Sequence, residues 1–183
     1  MRGACGAGCK AKGGGDHAKR VERRGLGRDW GGRALMVHVA PPFWALFFLV
    51  GTFALSFAPG FNALEPMAAR PVGLAIIAAS LTLLLGAMGQ FWFANTQILP
   101  DSTINNALVT DGLFGLTRNP MYIAMVVMCL GFAFLLGRAP MFAAPALMFA
   151  VLNWAFIPFE EAKMRRQFGE AYDAYMKRVR RWV

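Results

Sequence analysis

The chain has 183 residues, about one domain's worth, and its 57% hydrophobic content and mean hydropathy of +0.44 are high for a soluble protein. The formal charge of +9 gathers at the ends: residues 1–33 carry nine Lys/Arg against three acids, residues 160–183 seven against four. Charged flanks beside apolar stretches orient a membrane protein and touch anionic lipid, so the basic ends do not call for nucleic acid, and none is expected as a partner.

Residues 1–33 are rich in Gly, Arg and Lys and hold only a handful of apolar side chains. They cannot bury enough surface to offset ordering, so a disordered basic leader is expected there. Cys5 and Cys9 lie in this leader, with His17 as the sole further ligand nearby, and no metal site is expected. Cys129 lies within an apolar stretch, and nothing suggests a disulfide framework. The basic lead is too long for the n-region of a secretory signal, and a full span follows it, so the first apolar stretch is expected to be an uncleaved anchor. Nothing before Met36 looks structural, and a natural start at Met36 stays open.

From 34 to 183 a single membrane domain is expected. Four stretches lack Asp, Glu, Lys and Arg: Ala34–Leu64, Pro71–Pro100, Asn119–Gly137 and Ala139–Phe159. A bilayer core needs about 20 apolar residues per helix. Spans are therefore expected at about 41–58, 72–94, 119–137 and 140–159, followed by a helical segment over 160–182. A soluble bundle would give each helix a polar face, and these stretches have none. The expected fold is an all-α integral membrane protein with about four transmembrane helices and a C-terminal amphipathic cytoplasmic segment. On the opposite side the short loops hold only Arg70 and Arg138 as basic residues. That bias predicts a multi-pass protein of the cell membrane with both termini in the cytoplasm.

In chain order, Pro41 and Pro42 open the first helix. Ala58–Pro71 is a short outer loop. Gln90 sits inside the second helix and is expected to bond a neighbouring helix. Residues 95–118 form one long cytoplasmic connection, with turn signals at Pro100-Asp101 and Asp111-Gly112. "GRAP" (Gly137–Pro140) joins the last two spans as a tight antiparallel hairpin. Beyond Phe159, the residues Glu161, Arg165, Phe168, Tyr172, Tyr175, Val179 and Trp182 recur in steps of four and three, which stacks them on one helical stripe. Gly169 interrupts the stripe and predicts a bend or cap between two short helices. Lying on the membrane surface, with aromatics down and arginines raised to phosphates, is the simplest role for that segment.

Two polar packets stand out. Asn119-Pro120 has a structural explanation as an N-cap followed by proline at the first helical position. Arg118 and Tyr122 suit a membrane interface. Together they also build an anion site, because a helix N-terminus offers free N–H groups and partial positive charge, to which Arg118 adds a full charge. Glu160-Glu161 forms the second packet, of opposite sign, on the same side. The hairpin makes the start of the third span and the end of the fourth neighbours. A cationic helix start facing two carboxylates matches a zwitterion with vicinal hydroxyls, such as S-adenosylmethionine.

"LVTDGLFGLTRNPMYIA" followed by "FEEAKMRRQFGEAYDAYMKRVRRWV" resembles the isoprenylcysteine carboxyl methyltransferase family, part of a wider group of membrane methyltransferases that includes phospholipid N-methyltransferases. The resemblance covers roughly residues 90–183 and includes "NTQILP". It implies a polytopic helical enzyme that binds S-adenosylmethionine near the cytoplasmic face. Arg118, Asn119, Pro120 and Tyr122 occupy its first motif. Glu160, Glu161, Phe168, Gly169, Tyr172 and Tyr175 occupy its second, with Arg178 and Arg181 behind them. Cofactor binding is expected from Arg118, Asn119, Pro120, Tyr122, Glu160, Glu161, Tyr172 and Tyr175, and the catalytic pair from Arg118 and Glu161. Eukaryotic members tend to carry His where Asn119 stands; Asn can still hydrogen-bond the cofactor but cannot switch charge. No prenyl-protein specificity is evident. The expected acceptor is an isoprenylated, lipid or small apolar molecule that comes sideways from the bilayer. A phospholipid N-methyltransferase is one alternative; a non-catalytic lipid-binding membrane protein with the same fold is another.

Overall fold

A computed structural model describes residues 39–61, 69–93 and 108–183, all within the unit Val37–Val183. The leader, Cys5, Cys9, His17 and the Pro100-Asp101 turn lie outside the described residues. Among those residues the protein is all helical, with no strand.

Helix α1 is Pro41–Leu55 and α2 is Arg70–Phe93. A four-residue turn of helix, α3, spans Leu113–Leu116, and α4 spans Pro120–Leu136. Gly137 then takes the left-handed conformation and donates its N–H to the Ala133 carbonyl, which stops α4 and turns the chain. The expected tight hairpin at "GRAP" is present. The next helical run, Ala139–Phe168, is continuous over 30 residues but changes pitch along the way. It passes from a 3-10 turn (Ala139–Phe142) to α5 (Ala143–Val151), a π turn (Leu152–Phe156) and α6 (Ile157–Phe168). Pro158 explains the π turn: it has no N–H, and its ring would strike the Trp154 carbonyl in a regular helix. The wider turn ahead of it relieves both problems.

Two of the expected spans meet the length a bilayer requires: α2 with 24 residues and the Ala139–Phe168 run. Helices α1 and α4 are apolar but shorter, at 15 and 17 residues. At 1.5 Å per residue they reach about 22 and 26 Å, against a core of about 30 Å. The helix also runs on past the expected end of the fourth span. No break falls between Phe159 and Glu160, because no glycine or proline stands between Pro158 and Gly169. The break comes at Gly169, where φ is +51°, and α7 (Glu170–Arg178) follows. The single stripe from Glu161 to Trp182 is thereby split across two helices and a non-helical tail. Even so, Glu161, Tyr172, Tyr175 and Val179 are all buried.

Packing is inside-out relative to a soluble bundle. On α2 the buried positions are small or polar (Gly73, Ser80, Ala87), while Leu85, Trp92 and Phe93 face outward. Buried hydroxyls bond their own helix: Thr52 donates to the Phe48 carbonyl at 2.7 Å and Ser80 to Ile77 at 2.8 Å. Helix α2 runs antiparallel to α4 at very close range. A Cβ on Gly73 would lie 2.5 Å from the Leu135 nitrogen, and one on Gly131 would meet Ile77 at 2.7 Å. Small residues let helix backbones approach this way where no water drives them together. The core proper joins α4, α5 and the π turn through Tyr122, Met125, Cys129, Met148, Leu152 and Phe156.

Candidate active site

The polar packets meet at the N-terminal end of α4. Asn119 occupies the N-cap position and Pro120 opens the helix, fully buried. The Asn119 side chain does not cap. Its Nδ2 donates to the Arg181 carbonyl at 2.8 Å, so the expected capping role gives way to a tie to the C-terminal tail. Thr117 Oγ1 donates to the same carbonyl at 3.2 Å, and the Arg118 N–H to the Arg180 carbonyl at 2.9 Å. The tail is thus strapped across the start of α4.

Glu161 is the hub. Arg181 grips it with two bonds, Nε at 3.1 Å and Nη2 at 2.7 Å, while Arg118 Nη1 lies 3.2 Å from Oε1. Such a fork on a carboxylate is the strong form of the interaction. Glu161 and Arg118 are about nine-tenths shielded from solvent and Arg181 about two-thirds. Two guanidinium groups share one carboxylate, which leaves a surplus positive charge beside a helix N-terminus. Arg165 does not join Glu161; it pairs with exposed Asp173 at 3.3 Å and touches the Met176 sulfur. Glu160, the other acid of the pair, accepts a hydrogen bond from the Tyr122 hydroxyl.

Tyr172 and Tyr175 line the same region from α7, their rings 5.9 Å apart. Tyr175 donates to the Phe114 carbonyl at 2.6 Å and so ties α7 to α3. Burial first, then the Glu161 carboxylate, push the Tyr172 phenol up to about 12 against the pull of Arg118. Burial and the neighbouring Tyr172 push Tyr175 up to about 12 as well. Both are neutral donors at physiological pH.

All eight expected site residues therefore fall in one region. The structure adds Thr117 and Asn153 and gives partners to Arg181 and Trp182, which the second motif and the stripe had already marked; of the two additions only Asn153, an amide within an apolar run, left a legible trace. Gln90, expected to bond a neighbouring helix, instead lies against Gly112, and its Oε1 receives no hydrogen bond from a described residue. No cluster of three potential metal ligands occurs among the described residues.

Arg118 also tests the fit of a carboxylate-bearing cofactor. Its Nε and Nη1 are buried, and neither has an aligned hydrogen-bond acceptor among the described residues. Nη1 is close enough to Glu161 for an ion pair but points wrongly for a hydrogen bond. Buried orphan donors are costly, and an incoming carboxylate would satisfy them.

The described residues are thus all helical, with two apolar helices long enough to cross a membrane and this charged cluster at the start of α4. The sequence model of a family described as phospholipid methyltransferase matches residues 69–171. The chain belongs to that family, and the resemblance read from the two motifs is borne out. It is similar to protein-S-isoprenylcysteine O-methyltransferase of Schizosaccharomyces pombe, 34% identical over 79 residues, 41% of this chain and 32% of that protein. It is also similar to protein-S-isoprenylcysteine O-methyltransferase B of Arabidopsis thaliana, 32% identical over 79 residues, 41% of this chain and 38% of that protein. The matched part is thus about a third of the length of these curated relatives. No solved structure matches the chain.

Proposed function

We propose that the chain is an integral membrane methyltransferase that uses S-adenosylmethionine to methylate a lipophilic acceptor. The observation that carries this reading is Arg118: a buried guanidinium, ion-paired to Glu161 at a helix N-terminus, whose Nε and Nη1 have no hydrogen-bond acceptor among the described residues, in a member of a methyltransferase family. In this reading α1, α2, α4 and the Ala139–Phe168 run are four spans, α1 and α4 crossing with the help of flanking residues, and both termini are cytoplasmic. Arg118 takes the cofactor carboxylate. Asn119 and Pro120 open α4, so that the positive end of the helix dipole stands beside the same anion. Glu161 takes the ammonium or ribose hydroxyls, Tyr122 holds Glu160, and Tyr172 and Tyr175 close the pocket against water.

When bound, S-adenosylmethionine supplies an already activated sulfonium methyl. What remains for the protein is to align the acceptor with it and exclude water. An acceptor carboxylate needs no general base, whereas an amine must be deprotonated. The curated relatives favour an O-methylated, isoprenylated acceptor; the family's description favours a phospholipid amine as the second reading.

Isothermal titration of detergent-solubilised protein with S-adenosylhomocysteine tests the proposal. Binding is expected, and its absence would leave a non-catalytic membrane protein. Transfer of labelled methyl into lipid extracts or into a farnesylcysteine analogue then separates the two acceptor readings.

A further inference from the structure

Asn153 lies inside the apolar run that begins at Ala139, within the π turn. An amide there is costly unless it finds a partner. Its partner is distant in sequence: Trp182 Nε1 donates to Asn153 Oδ1 at 3.1 Å. The indole also packs on Phe149, ring centroids 4.7 Å apart, and against the core of Tyr122, Leu152 and Phe156. Trp182 thus faces the core while its neighbour Arg181 reaches the other way, to Glu161. The Arg181 carbonyl between them takes bonds from Thr117 and Asn119.

From this we infer that Asn153 is a positioning residue: by holding the Trp182 indole, it sets the register in which the C-terminal strap delivers Arg181 to Glu161. The inference rests on the methyltransferase reading for its effect on the cofactor, but the strap itself does not. Besides the Arg181–Glu161 pair itself, four hydrogen bonds tie residues 180–182, from Arg118, Thr117 and Asn119 to the tail carbonyls and from Trp182 to Asn153, and of these only the indole–amide bond reaches into the apolar interior. Of those four it is the one made between two side chains. A one-residue slip of the tail would carry Arg181 away from Glu161 and leave Asn153 without a partner in an apolar setting. The π turn contributes by changing the helix phase between Asn153, which lies in it, and the Glu160-Glu161 pair, which follows it.

The test uses the full chain in detergent and two variants. Trp182→Phe keeps an aromatic ring against Phe149 and removes the donor; Asn153→Leu removes the acceptor. The first readout is hydrogen exchange at the Arg118 amide, which the strap protects through the Arg180 carbonyl. Exchange there should rise at least tenfold in both variants while Ala124–Ala133 stays protected. The second readout is S-adenosylhomocysteine affinity. Each variant should lose about tenfold and the double variant no more than either single, since one bond is removed in all three. Unchanged exchange at Arg118 in both variants overturns the latch. Faster exchange with unchanged affinity, or losses that multiply in the double variant, overturns the positioning role. If the unaltered protein binds no S-adenosylhomocysteine, the methyltransferase reading fails instead, and exchange at Arg118 decides the latch alone. Should Asn153→Leu fail to insert, Trp182→Phe carries the test.

Discussion

Arg118 and Glu161 have more than one claim on them. Each is expected to meet a ligand, yet in the structure each has the other as a partner. Arg118→Lys keeps the charge but loses the planar fork, which is what grips a carboxylate on two oxygens. S-adenosylhomocysteine affinity should fall about tenfold; equal binding by titration would remove Arg118 from the site. Glu161→Gln leaves two arginines without their shared anion. Breaking a buried pair costs about 3–5 kcal/mol. Water reaches Arg181, so about 2–3 kcal/mol is the better expectation here, with cofactor binding lost as well. Arg165→Gln touches only an exposed pair and should change stability by less than about 1 kcal/mol. Thermal unfolding and titration of both variants check the contrast. Tyr172 and Tyr175 add a pH dependence. Their folded values near 12 stand above the ordinary 10.0. The stability they contribute is whole below about pH 10 and is lost as pH rises toward 12. Tyr172→Phe should flatten that alkaline loss in melting curves, and Tyr175→Phe should also cost about 1 kcal/mol for the bond to Phe114.

At the level of elements, the tightest contact is α2 against α4. Gly73→Ala would place a methyl against the Leu135 backbone, where no flexible side chain can yield. Overpacking of this kind costs about 1–3 kcal/mol and should lower the melting temperature without any residue of the site being touched. Much of the element plan was legible in the sequence. Uncharged apolar runs marked the helices, Gly137 the hairpin and Gly169 the joint between α6 and α7, because each follows from local chemistry. Helix lengths were less legible: an apolar run includes residues that leave the helix, as Ser56, Phe57 and Ala58 do after α1. The π turn was not legible, since a proline such as Pro158 can equally kink or end a helix. At the site, the meeting of Arg118 with the Glu160-Glu161 pair could be argued from the hairpin alone. The claim of Arg181 on Glu161 and the loss of the Asn119 cap depend on where the tail folds, which no local pattern records.

For the molecule as a whole, the leader carries nine Lys/Arg but none of the site residues. Deleting residues 1–33 should alter how efficiently the chain inserts, since those charges bias orientation. S-adenosylhomocysteine affinity of correctly inserted protein should stay within about twofold. A tenfold loss would mean the leader contributes to the site. The close approach of Gly73 and Gly131 bears on traffic as well as on stability. At the far end of the same pair of helices, the Phe91 ring, on α2, meets Phe114, on α3 just ahead of α4, with centroids 4.9 Å apart. A seam that will not admit one added methyl at one end and is closed by edge-to-face rings at the other offers no passage to a hydrocarbon tail. In the proposed reading, a lipophilic acceptor therefore reaches the site by a route other than the α2–α4 seam.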